Sequence, residues 1–76
     1  MSIQDEALQG RVRSALSHDK RLSGQAIMVR AADGEVHLKG RVDTEEQKQL
    51  AIMVINGVPG VRGLVTDELE VRGGGE

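Results

Sequence analysis

The residues able to do chemistry in this 76-residue chain are few and scattered. The only two histidines, His18 and His37, stand nineteen positions apart, with no cysteine anywhere and no HxxxH-type partner for either. That falls short of any zinc-binding spacing, and no metal or cofactor site is expected. Ser14, Ser17, His18 and Asp19 are neighbours along one stretch, yet neither a nucleophile elbow nor an oxyanion loop accompanies them. Asp43, Glu45 and Glu46 are explained better as a helix start than as a general acid and base. The residues do not point to an enzyme.

Binding chemistry is the remaining class. With no Trp, Tyr or Phe, base stacking and aromatic cation cages are excluded. Ten Lys plus Arg against twelve Asp plus Glu give a net charge of -2, so polyanions are repelled unless the basic residues are segregated. Nucleic acid is not an expected partner. Two GxxG runs, Gly57-Val58-Pro59-Gly60 and Gly60-Val61-Arg62-Gly63, join a helix to a strand, whereas the RNA-clamping loop of that pattern joins two helices. Segregation does occur at Arg30, His37, Lys39 and Arg41, which share one side of an alternating stretch with Glu35 alone among acids. This is a candidate face for phosphate groups of a lipid surface or a small anionic ligand. Glu68 and Glu70, farther along the chain, are placed to neutralise it. A second, apolar candidate is Leu50-Ala51-Ile52-Met53-Val54-Ile55, because one helical stripe absorbs only about half of six consecutive apolar residues. Leu50, Ile52 and Met53 are the surplus, a patch for a homodimer or another protein partner.

The elements that position these residues follow from periodicity. Leu8, Val12, Ala15 and Leu16 form one stripe of a helix from Gln4 to His18, with Glu6, Gln9, Arg13 and Ser17 opposite; Gly10 marks either a close neighbour or an exposed face. Leu22-Ser23-Gly24 reads as a connection. From Ala26 to Val42 the period is 2, broken at Asp33-Gly34, a strong two-residue hairpin signal. Taking that pair as the turn sets Ala32 opposite Glu35, Arg30 opposite His37, Val29 opposite Leu38 and Ile27 opposite Gly40. A slip of one residue would mix the apolar and polar faces. Thr44 with Gln47, or Asp43 with Glu46, caps a second helix running to about Gly57, whose inward stripe is Ala51, Val54, Ile55 and Val58. A third extended segment covers Val61 to Val71, and Gly73-Gly74-Gly75-Glu76 reads as a flexible tail or linker stub. The predicted domain is 1-72, an α+β fold: a two-layer α/β sandwich in the order α-β-β-α-β, two helices on one face of a three-stranded mixed sheet. Its predicted core unites Leu8, Ile27, Val29, Val36, Leu38, Val54 and Ile55.

The run from Val29 through Asp33-Gly34, Gly40 and Val42, the capped acidic helix start, Ala51, and Gly57-Val58-Pro59-Gly60-Val61 leading to Leu69-Glu70-Val71 together resemble a BON domain, over Asp5 to Val71. The resemblance implies a non-catalytic binding module of bacterial envelope and stress proteins, proposed to attach to phospholipid surfaces or other ligands. The family's glycines, here Gly34, Gly40 and Gly60, carry over a fold and not a site. One departure stands out: Leu64 to Leu69 is one residue longer than the family pattern and lacks its Asn. Such odd spacing keeps both leucines on one face only through a bulge. Met1 to Asp5 lack a basic n-region and an apolar h-region, so the chain as written is expected in the cytoplasm. If it is a domain of an exported protein, envelope or periplasm is expected instead.

Overall fold

In the computed structural model, which describes residues 3-72, the elements are α1 (Ile3–His18), β1 (Ala26–Ala32), β2 (Glu35–Val42), α2 (Glu45–Asn56) and β3 (Gly63–Val71). The sheet order is β1-β2-β3, antiparallel between the first two and parallel between the last two. Both helices cover one face, so the fold is the expected mixed α+β sandwich. The Gly-rich segment 73-76 lies outside the described residues.

The hairpin has the register that Asp33-Gly34 demands, with Arg30 opposite His37, Val29 opposite Leu38 and Ile27 opposite Gly40. Asp33 at φ 53° and Gly34 at φ 82° both take the left-handed conformation of a twisted two-residue turn. Gly40 is constrained for another reason: at φ 134° its position leaves room for no side chain, since a Cβ there would stand 2.0 Å from the Ala26 carbonyl oxygen. Thr44 is the N-cap of α2; its hydroxyl accepts from the Gln47 N–H at 3.1 Å while Gln47 Oε1 accepts from the Thr44 N–H at 3.1 Å.

Leu8, Val12 and Leu16 of α1, Val29, Ala31, Val36, Leu38 and Val42 of the hairpin, Ala51 and Ile55 of α2, and Leu69 of β3 form the core. Ile27, Leu50 and Val54 pack against it only partly buried, so Val54 is a flank of α2 and not its inward centre. Leu22, assigned from sequence to a connection, is buried as deeply as the strand residues. Its turn is folded back by the Leu22 N–H to Asp19 carbonyl bond at 2.9 Å, which drops the side chain under α1. In β3 the pairing shifts between His37 and Lys39, which face Val65 and Glu68 respectively. Two β3 residues, Thr66 and Asp67, therefore lie opposite Leu38, and this bulge returns Leu69 to the face occupied by Leu64.

Candidate functional site

The sheet face away from the helices gathers all four cationic candidates. Cross-strand rows run Ala32-Glu35-Gly63, Arg30-His37-Val65, Met28-Lys39-Glu68 and Ala26-Arg41-Glu70. Arg30, His37, Lys39 and Arg41 are all exposed, because alternation along the strands sends Val29, Val36, Leu38 and Val42 inward. Their charges do not stand alone. Arg41 Nη2 lies 3.5 Å from Glu70 Oε1, His37 Nε2 bonds Glu35 Oε1 at 2.9 Å, and Lys39 is in register with Glu68. Arg30 stands across from His37 with no carboxylate in its row. With His37 neutral, three positive side chains thus share the face with three negative ones, sorted by strand: cations on β1 and β2, carboxylates on β3 and at Glu35.

The apolar candidates separate. Leu50 and Met53, three residues apart, line one shallow cleft with Arg21 and Gln47. Ile52 is turned by 200° from Leu50 around the helix at about 100° per residue, onto the opposite flank. Leu50 packs against the core, Ile52 is half-buried, and Met53 is 70% exposed. The three therefore do not form one continuous patch.

Just beyond the end of α1, Arg21 is engaged locally. Arg21 forms a two-pronged bond with Asp19, Nε to Oδ1 at 3.0 Å and Nη2 to Oδ2 at 2.9 Å. These bonds, and the Arg21 N–H, hold the Asp19 carboxyl below the usual carboxylate range and raise the Arg21 guanidinium. His18 Nδ1 lies 2.8 Å from the Ser14 carbonyl of its own helix. Among the described residues, no group of three His, Cys, Asp or Glu side chains is placed to hold a metal ion.

Two polar residues escaped the sequence reading. Asp5, buried in the first turn of α1, accepts the Asp33 N–H at 2.9 Å, and Gln9, one turn on, accepts the Ala31 N–H at 3.1 Å. Gln9 is thus not on the solvent side of α1 but over the outer edge of β1. The available signal was their i, i+4 spacing beside the apolar stripe, which puts two acceptors on one flank of the helix.

A three-stranded mixed sheet with both helices on one side and an open polar face on the other defines a small two-layer α+β domain. The BON domain family model matches residues 4–73, and the chain belongs to that family. Among curated proteins no sequence relative matches. Among solved structures the fold is similar to the C-terminal domain of CdsD, described as the structural protein of the Type III secretion system of Chlamydia trachomatis, with a TM-score of 0.70 at 16% identity. That likeness covers 88% of this chain and 33% of the other, so this chain spans about a third of its neighbour. Among the described residues no helix is long and apolar enough to cross a membrane.

Proposed function

We propose that this BON domain is a non-catalytic binding module whose partner is another protein. The observation that carries this reading is the in-register pairing of the sheet's cations with carboxylates, Lys39 with Glu68 and Arg41 with Glu70. Attraction to an anionic bilayer grows with uncompensated basic residues, about 1 kcal/mol for each near the surface. A face on which two of the three fixed cations, Lys39 and Arg41, stand beside carboxylates and only Arg30 lacks one in its row gains little of that energy. Mixed, sorted charge suits a protein surface of complementary pattern, where it sets orientation and rejects wrong partners. The description of CdsD as a structural protein of a secretion system supports an assembly role for the fold.

Phospholipid attachment, the alternative that the basic hairpin residues raise, is tested directly. The domain is sedimented with phosphatidylglycerol vesicles at low salt, where screening is weakest. No cosedimentation is expected. Binding that disappears in Arg30→Glu, Lys39→Glu and Arg41→Glu variants would overturn the protein-partner reading and make the sheet face a lipid site.

A further inference from the structure

The two edges of the sheet are finished differently. Along β1 the outward N–H groups of Ala31 and of Asp33 just beyond the strand are taken by Gln9 and Asp5, and the inward side chains Val29 and Ala31 are buried under α1. Along β3 no described element covers the outer side. The Arg72 N–H bonds the Val42 carbonyl at 2.7 Å, so alternation turns the N–H and C=O of Leu69 and Val71 away from β2. Side chains on this edge are also incompletely packed: Leu64 and Val71 face the helix layer yet remain half-exposed. On α2, Val54 lines the groove to α1, and Ile52, about 200° from it around the helix, lies on the flank turned away from α1. Outside, Glu68 and Glu70 mark the other face of the same edge.

We propose that the β3 edge accepts an extended segment of a partner protein as a fourth strand, one with apolar and basic residues in alternation. The inference rests on the protein-binding role proposed above. Main-chain bonds to Leu69 and Val71 supply the attachment, as in other strand additions. Apolar residues of the incoming strand cover Val71, and its basic residues stand across from Glu68 and Glu70, where opposite charges in adjacent strands attract. The same carboxylates exclude a second copy of this chain. Antiparallel two-fold pairing centred on Leu69 would put Glu68 of each copy opposite Glu70 of the other, like charge against like. The bulge at Thr66-Asp67 confines the added strand to the stretch from Glu68 to Val71.

The test uses a six-residue peptide of alternating Val and Lys with blocked ends, with a Val-Glu peptide and a Pro-Lys peptide as controls, followed by backbone amide NMR. The expected result is binding of the Val-Lys peptide alone, with exchange protection and shifts concentrated at Leu69 and Val71. Glu68→Lys/Glu70→Lys should weaken it about tenfold and favour the Val-Glu peptide. Val71→Pro, which removes an outward donor and leaves the β2 ladder intact, should abolish it. Equal binding of the Pro-Lys peptide, shifts centred on Arg30 and His37, or no binding at millimolar peptide would overturn the inference. Failure here with vesicles still ignored leaves the protein-partner reading standing, whereas vesicle binding removes that reading first.

Discussion

The same substitution, glycine to alanine, is expected to have opposite signs at two positions of this fold. Gly10 lies mid-way along α1, exposed, and an added Cβ meets nothing within 4 Å. Gly10→Ala should therefore stabilise by about 0.5–1 kcal/mol, the gain from restricting the unfolded chain and favouring the helix. Gly40 is the reverse case. A Cβ there would approach the Ala26 carbonyl oxygen to 2.0 Å, where real Cβ contacts essentially never fall below 3.0 Å, so β1 must retreat by about an ångström. The φ of 134° adds about 1–3 kcal/mol of strain, displacing β1 about 1–3, and each hydrogen bond lost at that end about 1. The sum, about 3–7 kcal/mol, is set against a total stability of about 4–11 kcal/mol expected for 76 residues. Gly40→Ala should leave a domain that is barely folded. Urea unfolding followed by far-UV circular dichroism measures both, since the chain has no aromatic residue for fluorescence. A Gly40→Ala cost below 1 kcal/mol, or a Gly10→Ala variant less stable than its parent, would refute the geometry on which the argument rests.

Asp5→Ala should cost about 1–3 kcal/mol because it strands the Asp33 N–H, while Asp5→Asn, which keeps an acceptor oxygen, should recover most of it in the same urea experiment. Asp19 should titrate below the ordinary aspartate range by carboxyl NMR, and Arg21→Gln should raise it only part of the way back, since the N–H of residue 21 still bonds its carboxylate. Because the folded pKa is depressed, the ion pair's contribution is present above the unfolded value and is lost as pH falls through the folded one. With Leu50 packed on the core and Ile52 on the far flank, Met53 alone is too small a patch to hold a dimer. Sedimentation should give a constant monomer mass with rising concentration, and a rising mass abolished by Met53→Lys would reinstate self-association through α2.

What was legible in the sequence is what local rules determine. Asp33-Gly34 fixes two positive φ angles and with them every pair of the hairpin, and Thr44 with Gln47 fixes the start of α2. The odd interval from Leu64 to Leu69 requires a bulge, and the bulge is there. What was not legible depends on contacts between distant segments. Asp5 reaches Asp33 across 28 positions, and Gln9 reaches Ala31 across 22, so a helix-wheel reading assigns Gln9 to water. Leu22 sits in a turn without periodicity, and only the fold-back at Asp19 buries it. For the candidate sites, alternation found the four cationic side chains of the open face. It also offered Glu68 and Glu70 as the carboxylates that neutralise them, but not which cation each would face, Glu68 beside Lys39 and Glu70 beside Arg41, because the register of strand pairing is a tertiary choice.

The extra residue of β3 links these observations. Without a bulge, Leu64 and Leu69 would point to opposite faces, and one of them would leave the core. With it, both point inward, Val65 and Glu68 point outward, and the ladder is broken between them. An unbroken nine-residue edge of this kind would be a hazard, since unpaired strand edges template association. Here the bulge shortens the accessible run to four residues, and two of those are glutamates. At the opposite edge the solution is internal: a carboxylate and a carboxamide of α1 accept the outward N–H groups of Asp33 and Ala31 at the turn end of β1. One edge is therefore capped at its turn end by the chain itself, and the other is shortened and charged but left open, which restricts what can pair there by length and by sign of charge.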